Sequence, residues 1–216
     1  MVSRASPVLI LLLLCGAASA SPSAQQPSSG TAMYVVRHDQ RLCPSPLCGG
    51  YWVAIANGAR TRCADGLRHA RCYAARAVAA QGSVRSVDIP DGALVRGALD
   101  AGRDDLGELL AVAVYAPAGA GPADGGYYRL TATGLPCGQT TCFAYRATQV
   151  NGSTRTPVSS LDLEASGAAP AEIARARRAL RSANGLYARG RFARAATGGT
   201  LFRALRLYLR APLLRA

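Results

Sequence analysis

The feature that most constrains the fold of this chain is an internal repeat. Residues 34–58 align without a gap on residues 128–152, and both segments read Y-x8-C-x4-C-x2-Y-x5-N-G. A second block, G-x3-R-G-x17-Y, occurs at residues 92–115 and again at residues 185–208. Because the matched residues keep their order and nearly the same offset in both blocks, the sequence predicts two tandem copies of one small module.

The repeat sets the domain boundaries. Copy one is expected over residues 33–120 and copy two over residues 127–212, with the glycine-rich segment 121–126 as a linker. Between the shared blocks, residues 59–91 and residues 153–184 cannot be aligned, so the repeat gives no correspondence there.

The hydrophobic pattern predicts an α+β fold that is mainly β. Short β-branched or aromatic runs bounded by Gly, Pro or Asn indicate strands at Met33–Arg37, Tyr51–Ala56, Leu109–Tyr115, Tyr127–Thr133, Phe143–Val150 and Val158–Leu163. Residues 201–209 are assigned to a strand by analogy with residues 108–115. The two Asn-Gly pairs are expected to form tight turns after strands.

One helix is predicted, and it lies in copy two, starting at Pro170. Proline suits the first turn, Glu172 favours the helix N-terminus, and the arginines that follow favour the C-terminus. Ile173, Ala176 and Leu180 recur at helical spacing and form a narrow apolar stripe.

Residues 1–20 are predicted to be a signal peptide. They carry a positive charge, an apolar run at residues 8–14 and an A-x-A cleavage site formed by Ala18 and Ala20 before Ser21. The apolar run is too short to anchor the chain in a bilayer, and no later segment is long enough. The mature protein is therefore expected to be secreted or periplasmic.

Two further expectations concern the region after the apolar run. In the alternative assignment Cys15 is a lipid-modified first residue, but that signal requires a small residue before the cysteine, and Leu14 is large. Residues 21–32 are rich in Ser and Pro and are expected to be a disordered linker.

Six cysteines remain in the mature chain, and an even count in an exported protein favours disulfides: Cys43, Cys48, Cys63, Cys72, Cys137 and Cys142. If each copy is self-contained, Cys137 must pair with Cys142. Symmetry then pairs Cys43 with Cys48 and leaves Cys63 for Cys72. A zinc site built from the two C-x4-C segments is the alternative, disfavoured by the oxidising compartment.

A family resemblance appears at the first cysteine pair. The string from Arg41 to Val53 contains C-x4-C-G-G-Y and is followed by Asn57, Thr61 and Cys63-Ala-Asp-Gly66. It resembles a family of exported bacterial domains of unknown function, here with the motif duplicated in weakened form. The chain departs from the family pattern near Ala77, where an acidic residue is usual. The resemblance implies that the protein is exported and that the family domain covers essentially the whole mature chain. It implies no chemical activity.

The net charge of +13 suggests nucleic-acid binding, but its distribution does not support that function. All 25 basic residues are Arg, which is typical of GC-rich coding sequence. Residues 172–216 hold 11 Arg against one Glu, yet these are expected to lie on several solvated faces. The sequence therefore predicts no specific nucleic-acid binding and at most weak, nonspecific polyanion binding that is lost near physiological salt.

No residue pattern identifies an active site. His38 and Asp39 are adjacent, so on a strand they point to opposite faces, and they are expected to be a surface polar pair. His69 is expected in a solvated loop. No paired carboxylates, nucleophile elbow, metal ligands or cofactor motif recur in both copies, and no catalytic, metal or cofactor residue is assigned.

Trp52 is the one candidate binding residue. It follows Tyr51 on a predicted strand, so one ring is expected in the core and the other exposed, where it could contact a sugar or a partner.

The predicted function is a non-enzymatic exported module for binding or structure in the bacterial envelope or extracellular space, with an unknown partner and oligomeric state. One alternative is an inhibitor of exported proteases that presents an Arg in the Cys63–Cys72 loop. The other is a hydrolase without a recognisable motif, which a concave pocket gathering His38, Asp39 and a Ser would support.

Overall fold

The computed structural model describes residues 30–81, 86–102, 105–122, 124–134, 143–196 and 198–213. The described chain is mainly β, with one α-helix, α1 (Pro170–Leu180), and a 3-10 turn at Glu164–Ser166. Its strands are β1 (Ala32–His38), β2 (Tyr51–Ile55), β3 (Thr61–Arg62), β4 (Arg68–His69), β5 (Cys72–Ala74), β6 (Arg76–Ala79), β7 (Ala93–Asp100), β8 (Glu108–Ala118), β9 (Gly126–Ala132), β10 (Tyr145–Gln149), β11 (Arg155–Val158), β12 (Ser160–Asp162), β13 (Leu186–Arg194) and β14 (Thr200–Ala211).

The predicted strands are present, and the segment at residues 201–209 is a strand. The prediction over Val158–Leu163 is wrong as a single strand, because β11 ends at Val158 and β12 begins at Ser160. The glycine-containing strands β7 and β13 were not predicted. Glycine weakens a strand signal, although it is tolerated at bulges.

Twelve strands form one sheet with the order β11-β10-β9-β13-β14-β8-β7-β1-β2-β5. β6 adds to β8 and β12 adds to β14, and both of these additions are parallel. Outward from the central β14–β8 pair, the strands are β8, β7, β1 and β2 on one side and β14, β13, β9 and β10 on the other. Strands at the same distance from the centre hold the same place in the chain order of their half, as β1 and β9 do. β3 and β4 form a separate hairpin.

The register around the central pair has the same symmetry. Tyr208 lies opposite Pro117, Arg210 lies opposite Tyr115, and Leu209 lies opposite Ala116 between them. The register also shifts after Arg96 in the β7–β8 pair and after Arg189 in the β13–β14 pair, which are positions 93 residues apart.

Each register shift falls at a glycine that the packing requires. A Cβ on Gly97 would lie 2.3 Å from the carbonyl oxygen of Leu110, and one on Gly190 would lie 2.2 Å from that of Arg203. Both contacts are with backbone, which cannot move aside, so a side chain at either position would disrupt the ladder.

The two Asn-Gly turns connect the halves of the molecule. Asn57 Nδ2 donates hydrogen bonds to the carbonyls of Tyr127 (2.7 Å) and Val150 (3.0 Å), and Asn57 Oδ1 accepts one from the Tyr127 amide (2.8 Å). Both asparagines adopt positive φ, 62° for Asn57 and 56° for Asn151, which Asn tolerates better than most residues.

Asn151 makes the equivalent contacts in the opposite direction. Its Nδ2 donates to the carbonyls of Met33 (2.7 Å) and Ala56 (3.0 Å), and its Oδ1 accepts from the Met33 amide (2.9 Å). The turn that follows β2 therefore contacts strand β9, and the turn that follows β10 contacts strand β1, although neither pair of strands is adjacent in the sheet. These six hydrogen bonds are called the asparagine clasp below.

Three groups of buried side chains support the sheet. One lies in the first half around Val36, Val53 and Ile89. Another lies in the second half, where α1 buries its predicted stripe of Ile173, Ala176 and Leu180. The carboxylate of Glu172 accepts a hydrogen bond from the Ala169 amide (2.9 Å), which caps the helix as expected. The third group contains Tyr115 and Tyr208 at the junction of the halves.

Candidate ligand-binding site

Two disulfides brace the first half. Cys43 is bonded to Cys48 and Cys63 to Cys72, each with a Cα–Cα distance of 5.4 Å, and these are two of the three pairs that the sequence predicts. The third predicted pair, Cys137 with Cys142, lies outside the described residues. So do Cys15 and the cleavage-site residues Ala18, Ala20 and Ser21.

The surface of the first sheet edge carries a row of basic and aromatic side chains. Arg37 in β1 lies opposite Trp52 in β2, and Trp52 lies opposite Tyr73 in β5. Residues directly opposite each other in antiparallel strands point to the same face. Tyr51, the neighbour of Trp52, points to the other face and is buried, while Trp52 is half-buried, as its position on an alternating strand requires.

Two guanidinium groups lie against the Trp52 ring. The Cζ of Arg71 is 4.5 Å from the ring centroid and that of Arg41 is 4.9 Å from it, distances typical of cation–π contacts. Arg41 also lies 5.2 Å from the ring centroid of Tyr73, which packs edge-on against Trp52. Trp52 is thus held in one orientation by side chains from two other segments, Arg41 from one and Arg71 and Tyr73 from the other.

Asp39 holds both Arg41 and Trp52 in place. Its carboxylate accepts hydrogen bonds from the Arg41 guanidinium (2.9 to 3.0 Å) and from the Trp52 indole Nε1 (3.2 Å). The prediction that His38 and Asp39 form a surface polar pair is therefore wrong for Asp39, which is only 7% exposed. Burial of the charge is tolerated because Arg41 neutralises it.

The electrostatics of Asp39 follow from the same contacts. Its hydrogen bonds with the Arg41 guanidinium lower the pKa of the Asp39 carboxyl below its ordinary value, and the Trp52 indole contributes in the same direction. Asp39 is therefore ionised at neutral pH and is fully engaged as an acceptor.

His38 points away from Asp39. Its Nε2 lies 2.8 Å from the carbonyl oxygen of Ile89 and donates to it, and its amide donates to Asp91 (2.9 Å). The ring packs against Tyr51 at 5.1 Å. The two residues are on different faces, as expected from their adjacency, and they do not form a catalytic pair.

A cavity of about 540 Å³ opens beside Trp52. The described residues that line it include no serine and are Arg37, His38, Asp39, Gln40, Arg41, Trp52, Arg71 and Asp91. We call it the Trp52 pocket. Arg37 and Arg71 are both exposed, and neither forms an ion pair with any described residue.

The second half lacks this chemistry. At the repeat offset of 94 residues, Arg146 occupies the position of Trp52 and Thr133 that of Asp39. Arg146 lies opposite Thr131 in β9, as Trp52 lies opposite Arg37 in β1. The two equivalent positions therefore carry an aromatic and an acidic residue in the first half only. The repeat identifies residues shared by the two halves, whereas Asp39 and Trp52 are residues that differ between them.

One other group resembles a metal site in composition. Donor atoms of Cys63, Asp65 and His69 all lie within 4.8 Å of one another. The sulfur of Cys63 is bonded to Cys72, so it offers no thiolate to a metal. The two remaining donors are exposed, as expected for a solvated loop around His69.

These features define a β-rich, disulfide-braced domain with a polar, arginine-lined pocket on its first sheet edge. The chain belongs to the family described as a domain of unknown function, DUF6748, whose model matches residues 32–212. This single match covers both halves of the sheet. No curated protein and no solved structure matches the chain. Among the described residues, no helix has the length and apolar character needed to cross a membrane.

Proposed function

We propose that this protein is an exported, non-enzymatic binding module whose ligand occupies the Trp52 pocket. The observation that carries the proposal is the concave, polar cavity beside Trp52, in which two guanidinium groups, of Arg37 and Arg71, have no ionic partner among the residues that the structure describes. Unpaired cations and a half-buried aromatic ring around one cavity are typical of binding sites rather than of solvated surface.

A non-enzymatic role agrees with how the polar groups are used. Asp39 is saturated by Arg41 and Trp52, and His38 donates to a backbone carbonyl. A general acid or base needs a free proton-transfer position facing the substrate, and Asp39 offers none. The predicted hydrolase therefore receives no support from the residues that line the pocket.

Export is proposed from the leader-like residues 1–20, and the two disulfides of the first half agree with it, because such bonds persist in oxidising compartments. Secretion of the full chain from a bacterial host, followed by intact-mass measurement, tests this point. A mature mass that begins at Ser21 is expected, whereas an unprocessed chain retained in the cytoplasm would contradict it.

We also propose that the two halves arose by duplication of one module, as the repeat predicts. In favour of this are the strand order around β8 and β14, the register shifts 93 residues apart, and the reciprocal contacts of Asn57 and Asn151. The pocket would then be a later specialisation of the first half.

The binding proposal can be tested with the fluorescence of Trp52, the only tryptophan in the chain. The mature, oxidised protein is titrated with a panel of neutral oligosaccharides, acidic oligosaccharides and short peptides. At least one ligand should shift the emission and should also bind in calorimetry. A panel without any such ligand would overturn the proposal.

Variants localise the binding to the pocket. Trp52→Ala should abolish the calorimetric signal, and Phe143→Ala should leave it intact, because Phe143 is an exposed aromatic residue (42%) in the second half. Equal binding by both variants would contradict the assignment of the site.

Protease inhibition is a second candidate, because the Cys63–Cys72 loop is braced and exposed. Residues 65–71 are all exposed, and Arg68 lies there in strand β4 without an ion-pair partner among the described residues. A trypsin-like protease would be the target, since such enzymes recognise Arg. Inhibition that is lost in Arg68→Ala would support this function, and no inhibition at micromolar protein would exclude it.

A further inference from the structure

The charge and hydrogen-bonding groups of the Trp52 pocket define the chemical class of its ligand, an inference that rests on the proposed binding function. We propose that the pocket binds a sugar acid. Arg37 and Arg71 hold its carboxylate, and Asp91 accepts hydrogen bonds from its ring hydroxyls. Each part of this assignment depends on a different feature of the pocket.

The positive charge of the pocket comes from two of its three arginines. Arg41 is neutralised by the buried Asp39, with four contacts of 2.9 to 3.1 Å between them. Arg37 and Arg71 have no ion-pair partner among the residues that the structure describes. A ligand carboxylate would supply the missing counter-charge, and a planar guanidinium matches a carboxylate geometrically.

Trp52 orients one of these arginines. The Arg71 guanidinium lies 4.5 Å from the Trp52 ring centroid, and a guanidinium stacked on an aromatic face keeps its in-plane N–H donors free. Arg41 is the second guanidinium against the same ring. The ring is thus engaged with cations, which leaves little of it for stacking with a nucleotide base.

Asp91 favours a sugar acid over a nucleic acid. It lines the same cavity, and its Oδ1 accepts a hydrogen bond from the His38 amide, while its second oxygen has no hydrogen-bond partner among the described residues. A carboxylate repels the closely spaced charges of a phosphate backbone. It is, however, a good acceptor for sugar hydroxyls, and Gln40 beside it can both donate and accept.

The lining also disfavours a peptide. Apart from Trp52 every lining side chain is polar, so the cavity has no apolar subsite for a side-chain anchor. With a volume of about 540 Å³, the cavity lies in the usual range for a small ligand or for one or two sugar residues of a chain.

A matched pair of probes tests the charge. Oligogalacturonate and its fully methyl-esterified form share the same rings and hydroxyls, and only the first carries carboxylates. The acid should bind at least about tenfold more tightly, as for a lost charge-assisted hydrogen bond. Equal affinity for the two forms would overturn the sugar-acid assignment while leaving the binding function intact.

Variants test the assigned contacts. Arg71→Gln and Arg37→Gln should each weaken binding of the acid by roughly tenfold to hundredfold. Arg178→Gln removes the same charge from the exposed face of α1 and should have no effect. If Arg178→Gln weakened binding as much as the pocket variants, the effect would be a nonspecific one of net charge, and the proposal would be overturned.

Asp91→Asn distinguishes a sugar site from a simple anion site. The asparagine oxygen can still accept from the His38 amide, so the backbone contact is retained. A sugar-acid site should lose affinity, because the acceptor for a hydroxyl becomes weaker. A simple anion site should gain affinity because a repelling charge is removed, and that result would contradict the proposal.

Two further arms complete the experiment. A single-stranded oligonucleotide and an acidic peptide are titrated under the same conditions, and both are expected to bind more weakly than oligogalacturonate. Tighter binding of either one, with loss in Arg71→Gln, would assign the pocket to that other class of ligand.

Quenching of Trp52 gives a readout that needs no ligand. Free positive charge beside the ring should concentrate iodide and repel caesium, so the iodide quenching constant should exceed that of caesium by at least about twofold once each is divided by its value for free N-acetyltryptophanamide. Arg71→Gln should reduce the ratio, whereas Arg178→Gln should preserve it. Equal quenching by both ions in the unmodified protein would show that the pocket has no unpaired positive charge.

Discussion

Removal of one side of the asparagine clasp tests how strongly the two halves of the molecule depend on each other. Asn151→Gly deletes the side chain and places at this position a residue that readily adopts the positive φ of 56°. Backbone strain therefore does not contribute to the change in the free energy of unfolding. The variant loses three hydrogen bonds, two to the carbonyls of Met33 and Ala56 and one from the Met33 amide.

The expected loss follows from these three contacts. Each hydrogen bond contributes about 0.5–1.5 kcal/mol, which gives roughly 3 kcal/mol for a fully buried set. The contacts are only partly buried, so water can satisfy some of the freed groups. We therefore expect the free energy of unfolding to fall by about 2 kcal/mol. Asn57→Gly also deletes three hydrogen bonds but should cost less, about 1 kcal/mol, because two of them are exposed to solvent.

Urea unfolding of the oxidised protein, followed by circular dichroism, measures this change. Asn184→Gly serves as the matched control, since Asn184 is exposed and has no hydrogen bond among the described residues, yet its replacement makes the unfolded chain equally more flexible. If Asn151→Gly changed stability no more than Asn184→Gly, the clasp would not hold the halves together, and the reasoning would be refuted.

Four other outcomes are expected. Gly190→Ala should destabilise the protein by about 2 kcal/mol or more, because its Cβ would lie 2.2 Å from a β14 carbonyl oxygen, whereas Gly30→Ala has open space around it and should be neutral in the same urea assay. Replacing both Cys63 and Cys72 by Ser should cost about 2.5–3 kcal/mol, the chain-entropy value for a loop of ten residues; an unchanged urea midpoint would contradict it. The lowered pKa of Asp39 means that its contribution to stability is present above its unfolded pKa and is lost as pH falls through the lower folded pKa. Acid titration of the tryptophan emission should therefore show a transition below the ordinary range for Asp, and Asp39→Asn should abolish that transition. In the Arg71→Gln variant, which removes the proposed sugar-acid contact, heparin binding should vanish near physiological ionic strength, and a submicromolar affinity there would contradict the interpretation of the basic C-terminal segment.

The burial of Asp39 could not be predicted from the sequence. The carboxylate is stabilised by Arg41, two residues later, and by Trp52 on the adjacent strand. A polar residue beside His38 and Arg37 is usually solvated, and only its actual partners decide whether burial is tolerated. The spacing of Asp39 and Arg41 was a local signal that could have suggested an ion pair.

The asparagines were interpreted as turn residues, and that part of the interpretation agrees with their positive φ. Their side chains also bind the opposite half of the molecule, across 70 and 118 residues of sequence. Turn propensity is local and says nothing about such contacts. Both copies of the repeat carry Asn at this position, whereas a surface turn tolerates several residue types. This was the one sequence signal that the side chains have a further role.

The sequence by itself determined the local elements: most strands, the helix at Pro170–Leu180, two disulfide pairs of the first half, and the alternation that buries Tyr51 and half-exposes Trp52. These follow from periodicity, capping and loop length, which act over a few residues. Only the tertiary structure decided the sheet order and the pocket, because Arg37, Trp52 and Arg71 come from separate segments. Their proximity depends on the pairing of β1 with β2 and of β2 with β5, and strand pairing across long separations leaves no local pattern in the sequence.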